Sequence, residues 1–144
     1  MRPRQSTAMP GATPSSWCSD DPAAAALCAF RLRTVASAAG LAARGLRASL
    51  APRLALDFGG LHPVFDAVQQ VAKFAGRVMT RAARIEPVTP AGLIYATEAF
   101  ACEIALMNDP PVACDHAGQM RLAKDFGTVP LYVVRPLRVP DEAT

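Results

Sequence analysis

The stretch from Leu61 to Ile85, LHPVFDAVQQVAKFAGRVMTRAARI, constrains the fold more than any other part of the chain. Its apolar or small residues Leu61, Val64, Val68, Val71, Ala75, Val78, Ala82 and Ile85 fall alternately three and four positions apart. On a helix that spacing makes one apolar stripe, with Lys73, Arg77, Arg81 and Arg84 on or near the opposite side. A stripe of that length needs a partner to cover it.

A partner follows within a few residues. Glu86-Pro87-Val88 breaks the first helix, and Thr89-Pro90 offers a cap with proline at the first helical position. Leu93, Thr97, Phe100, Ile104 and Met107 then repeat the four–three spacing up to Asn108-Asp109-Pro110-Pro111. So short a loop makes the two helices antiparallel neighbours. Arg77 falls level with Glu98, and Lys73 with Cys102 and Glu103. Charge agrees with the pairing: residues 61–86 carry four basic and two acidic side chains, whereas residues 87–116 carry four acidic ones and no Lys or Arg. The expected fold is therefore all-α, a small helical bundle around an antiparallel hairpin of about 63–85 and 90–107.

Three further segments complete the expected layout. Residues 1–20 lack periodicity and read as a flexible arm. A single helical domain spans 21–127, opening with a helix capped by Asp21, with Pro22 at its first position. Leu27, Phe30 or Arg31, Thr34 or Val35, and Ala38 form its stripe, with Gly40 as terminator. Leu41 to Leu50 reads as a second short helix, and Asp115 to Phe126 as another, closed by Gly127. Residues 128–144 form an extended tail whose β-like run, Leu131 to Val134, lies between Pro130 and Pro136. Prolines at that density point to an edge strand or a docked segment rather than a central strand. Leu54–Gly59 and Leu122–Gly127 match at five of six positions, which fits two elements that each end at a glycine with the phenylalanine packed inward.

Composition excludes more than it assigns. The 144 residues are 51% hydrophobic and 19% charged, a balance that argues against wholesale disorder. Cys18, Cys28, Cys102 and Cys114 form no C-x-x-C pair, so reduced thiols in a cytoplasmic setting are expected rather than a disulfide scaffold. The longest apolar run, Ala23 to Phe30, is far short of the roughly 20 residues of a membrane-spanning helix. A secretory leader is also not expected, because polar and proline-containing residues precede that run.

Candidate chemistry is sparse. Asp57-Phe58-Gly59 lacks the glycine loop, lysine and catalytic-loop motifs that would make it a kinase signature. Gly40 to Gly45 has the spacing of a phosphate loop, but Leu46 and Arg47 stand where Lys and Ser or Thr are needed. Cys102, Cys114 and His116 do not have the spacing of a zinc clip, so Cys102 reads as a small buried residue of the second helix. Glu98 and Glu103 lie on different flanks of a helix, and His62 reads as a helix-start residue. No catalytic residue, metal or cofactor is assigned.

What remains is the cationic side of the first helix. The expected function is a non-enzymatic protein–protein interaction module, which binds a protein partner or self-associates as a homodimer. The alternative is a nucleic-acid-associated accessory protein, with Lys73, Arg77, Arg81 and Arg84 contacting phosphates. The Ala, Arg and Pro bias also fits a poorly selected or mis-started reading frame, with Met9 as a second possible start.

Overall fold

The computed structural model describes residues 17–45 and 51–137. Most of the expected flexible arm, part of the expected second short helix and the last seven residues of the tail lie outside these.

The fold is mixed α/β, not all-α. Helix α1 (Pro22–Val35) is followed by the short α2 (Ala38–Ala42) and strand β1 (Leu54–Leu56). A hairpin of β2 (His62–Asp66) and β3 (Val71–Ala75) comes next, then α3 (Arg77–Ile85) and a 3₁₀ turn over Glu86–Val88. Strand β4 (Ile94–Thr97), helix α4 (Glu98–Ala105) and the long strands β5 (Val112–Leu122) and β6 (Gly127–Pro136) complete the chain. The main sheet has the order β1-β4-β6-β5, with β1 parallel to β4 and the other pairs antiparallel.

The expected helix over 63–85 therefore splits into a hairpin and a nine-residue helix. Asp66 drives the split. Its Oδ1 accepts from the backbone N–H of Val68 and of Gln69, both at 3.0 Å, and Gln70 takes φ 53°. A side chain bonded to its own downstream backbone folds a turn instead of continuing a helix. The flanking β-branched and aromatic residues then pair across it, Val64 with Lys73 and Phe65 with Ala72. The three–four stripe was real only from Val78 to Ile85, and Val68, one of its members, is 93% exposed on the turn.

The expected helix over 90–107 is a strand followed by a helix. Gly92, at φ 79°, closes a turn in which Leu93 N–H donates to Pro90 O, so no helix can start at Thr89. Ile94, Tyr95, Ala96 and Thr97 are all buried, as a central strand covered on both faces requires. Thr97 is the real cap of α4, accepting from Phe100 N–H at 3.2 Å, and the four–three spacing holds from there through the buried Phe100 and Ile104. The antiparallel helix hairpin does not exist, and with it goes the charge pairing of Arg77 and Lys73 with Glu98 and Glu103.

Two cores lie on opposite faces of the sheet. On one face Ala26, Ala29 and Phe30 of α1 and Phe100 and Ile104 of α4 pack on Ile94, Ala96, Val112 and Val134. On the other, Ile85 of α3 packs with Tyr95, Leu122 and Leu131. A β-bulge between His116 and Gly118, with Gly118 at φ 126°, explains how β5 serves both. Before it, Val112 and Cys114 face the first core; after it, Met120 and Leu122 face the second. The bulge breaks the period of two, and a broken period is what made residues 115–126 resemble a helix.

Strand β6 corrects a second expectation, since it is central despite its prolines. Its ladder with β4 covers only Leu131, Tyr132 and Val133. Pro130 and Pro136 lie outside that overlap, where one neighbour is enough and a missing N–H costs no ladder bond on the open side.

Helix α1 starts as its sequence implies, with Ala23 N–H donating to Asp21 Oδ1 at 2.9 Å. Its buried face is Ala26, Ala29 and Phe30, whereas Leu27 and Val35 are exposed, so the inward stripe is set by alanines. Gly40 does not end this helix. It lies inside α2, where an added Cβ would stand 2.4 Å from Val35 O.

The hairpin carries a pH-dependent contribution. Lys73 Nζ donates to Asp66 Oδ2 at 2.7 Å, and that bond, followed by the turn amides, holds the Asp66 carboxyl below its ordinary range. A carboxyl whose pKa is depressed on folding adds stability above its unfolded value, and that contribution is lost as pH falls through the folded one. Amide exchange in β2 and β3 should therefore accelerate below about pH 4, relative to that of β5 and β6. Asp66→Asn should remove that difference; an unchanged acid response in the variant would refute the assignment.

Candidate functional site

The sequence brings three short segments to one place. Asp57 directly follows strand β1, and the loop Asp57–Leu61 runs against the start of α3. An added Cβ at Gly59 would stand 2.7 Å from Val78 Cγ2, and one at Gly76 2.6 Å from Gly60 O. Glycine at both positions allows loop and helix to approach this closely. The result is an open cleft of about 490 Å³ lined by Gly59, Gly60, His62, Gly76, Arg77, Val78 and Arg81.

One wall is held by a partly buried ion pair. Arg81 donates from Nε to Asp57 Oδ2 and from Nη2 to Asp57 Oδ1, both at 2.6 Å. Asp57 Oδ1 also accepts from Thr97 Oγ1 at 2.7 Å and from Phe58 N–H at 2.8 Å. The Asp57 side chain is fully buried, while that of Arg81 keeps 32% of its surface. Donating to the Asp57 carboxylate raises the Arg81 pKa, so the guanidinium is a fixed cation. Since Thr97 also caps α4, the cluster joins β1, α3, β4 and α4.

Of the four cations expected to act together, Arg77, Arg81 and Arg84 lie on α3 and Lys73 lies on β3. Arg77 is exposed at the mouth of the cleft and Arg81 lines its wall. Lys73 lies on β3, bonded to Asp66 and Gln69. Arg84 lies in the last turn of α3. His62, read as a helix start, is on β2 and lines the cleft. Cys102 is exposed rather than buried, and Cys114, half-buried on β5, has its thiol pushed up to about 11 by burial and then by Asp115. His116 stacks edge-on against Tyr132. Asp57 and Thr97 escaped sequence reasoning as a pair; the only hint was a carboxylate directly after a three-residue apolar run.

No protein-family model matches the sequence, and no curated protein matches it. Solved structures do. The crystal structure of the adenylyl cyclase CyaB from P. aeruginosa is similar over 82% of this chain, with a TM-score of 0.66 and 20% sequence identity. The fold is cyclase-like. The chain spans 60% of the length of that structure. An adenylate cyclase from Trypanosoma brucei overlays 54% of this chain at a TM-score of 0.44 and 22% identity, across 34% of its own length. The guanylate cyclase domain of RhGC from Catenaria anguillulae, in complex with GTP, overlays 54% at 0.42 and 18% identity, across 39% of its own length. The likeness to CyaB overturns the helical interaction module expected from the sequence.

Divalent cations in proteins are commonly held by clustered carboxylates. Among the described residues, no three His, Cys, Asp or Glu side chains stand together as a ligand set. Asp57, bonded to the cleft-lining Arg81, already accepts four hydrogen bonds. These residues do not fit a divalent-cation site. What they can do is hold an anion.

Proposed function

We propose that the chain is the phosphate-binding part of a nucleotide-cyclase-type site, taking the polyphosphate of a nucleoside triphosphate into the cleft between residues 57–62 and the start of α3. The observation that carries this reading is the cation- and glycine-lined cleft on a cyclase-like fold. Gly76 offers α3 no side-chain cap, so the start of the helix is open to an anion beside Arg77. Arg77 has no acidic partner among the described residues, so its charge is uncompensated. A volume of about 490 Å³ lies within the range of small-molecule sites.

Groups that would hold a divalent cation come, on this reading, from a different cyclase-type domain, because a second copy brings the same described residues. No described helix is long and apolar enough to cross a membrane. A cytoplasmic location, where the four free cysteines stay reduced, suits a nucleotide ligand.

Calorimetric titration with ATP in the presence of a chelator tests the reading, with random-sequence duplex DNA as competitor because Lys73, Arg77, Arg81 and Arg84 were expected to contact phosphates. ATP should bind, and Arg77→Ala should weaken it by roughly three- to tenfold. Binding of DNA but not ATP would return the cations to nucleic-acid recognition, and no ATP binding at millimolar concentration sinks the proposal.

A further inference from the structure

The Asp57–Arg81 pair does more than join elements. A free arginine samples many rotamers, and ordering it on a ligand costs side-chain entropy. Here the ordering is already done. Nε and one N–H of Nη2 lie on the two oxygens of Asp57, and Nη2 also lies 3.4 Å from Phe58 O. The carboxylate is itself fixed by Thr97 Oγ1 and Phe58 N–H, so it cannot follow the arginine if that side chain turns.

Arg81 is therefore gripped along one edge of a planar group. The opposite terminal nitrogen, Nη1, has no hydrogen-bond partner among the described residues. Its side chain lines the cleft and keeps a third of its surface accessible. Arg81's charge is also offset locally by Asp57. Its contribution to a ligand is thus a pair of aimed N–H donors, while the uncompensated Arg77 supplies the longer-range attraction.

We infer that Asp57 is a positioning residue, which aims the free Nη1 edge of Arg81 at a phosphate group seated in the Gly59–Gly76 cleft. The inference rests on the nucleotide reading above and assigns to its ligand one directional contact. It follows that charge alone cannot replace Arg81. A lysine keeps the cation but cannot bond Asp57 along one edge and a phosphate along the other.

The test uses the full chain and the variants Arg81→Lys, Asp57→Asn and the double substitution, each titrated with ATP and with inorganic triphosphate. Thermal melts establish that each variant is folded at the titration temperature. Each single substitution should weaken binding about tenfold, and the double variant should bind no worse than the weaker single one. A merely structural role would lower the melting temperature and leave the affinity of the folded protein unchanged. Wild-type affinity in Arg81→Lys, or additive losses in the double variant, overturns the positioning role while leaving the nucleotide reading intact. If inorganic triphosphate follows the expected pattern and ATP does not bind, the nucleotide reading fails and the positioning role stands. If neither ligand binds the unsubstituted chain, both fail.

Discussion

Phe100→Ala should cost about 3–5 kcal/mol, the range for truncating a well-packed core aromatic. Phe100 is 1% exposed and is the largest of the fully buried side chains. It sits at the junction of the first core, where α4 meets Ala26, Ala29 and Phe30 of α1 above Ile94, Ala96, Val112 and Val134 of the sheet. The small alanines around it cannot swing inward to refill the space, so most of the cavity persists. Against a total stability of about 5–15 kcal/mol, such a loss leaves the domain marginal. Thermal denaturation followed by circular dichroism should show the midpoint fall by on the order of 10–20 °C. Leu106→Ala, at a position 80% exposed at the end of α4, should change stability by no more than about 0.5 kcal/mol. Equal effects at the two positions would mean that α4 does not pack on the sheet through Phe100.

Arg81→Ala should be the costliest polar substitution, about 3 kcal/mol, and should exceed Asp57→Ala. The two ends of the pair are unequally buried. Removing the arginine strands a carboxylate with no exposed surface, leaving it only Thr97 Oγ1 and Phe58 N–H. Removing the carboxylate frees a guanidinium that already keeps 32% of its side-chain surface, and a long flexible stem can carry it into water. Asp57→Ala should therefore cost only about 1–2 kcal/mol, largely through the lost bonds to Thr97 and the loop. Urea denaturation of the two variants measures the difference directly. A reversed order would show that the carboxylate, not the arginine, is the better solvated partner.

Both cases show what kind of information the sequence held. The hydrophobic residues that make the cores were visible: Phe100 and Ile104 fall on one helical face, and Ile85 ends a stripe that starts at Val78. Their element type was not. Residues 61–75 satisfy a three–four spacing as readily as a hairpin, because Val64, Val68 and Val71 are compatible with either period. The decision was made by Asp66, whose side chain captures two turn amides, and by the left-handed backbone of Gln70. Likewise Leu93 to Thr97 reads as one apolar run in either state. It becomes a strand because β1 and β6 are there to receive its backbone bonds on both sides.

The candidate site was even less legible. Arg81 was singled out with Lys73, Arg77 and Arg84 as part of a basic helix face, on the premise that all four share one helix. Lys73 is on a strand instead, and the acid that engages Arg81 lies 24 residues earlier. Asp57 carried no motif beyond Asp-Phe-Gly, and the glycines that shape the cleft are far apart in the chain.

The sequence alone determined the local, short-range features. Asp21 with Pro22 begins a helix, Thr97 with the buried Phe100 and Ile104 makes α4 amphipathic, and glycines mark the turns. These follow from backbone dihedrals and from hydrogen bonds within a few residues. Only the tertiary structure decided that apolar runs become sheet, that β6 can be central despite two prolines, and that Asp57 and Arg81 form one wall of a cleft. Each depends on which distant backbone or side chain fills a hydrogen-bonding or ionic vacancy, and the periodicity of a single segment does not encode that partner.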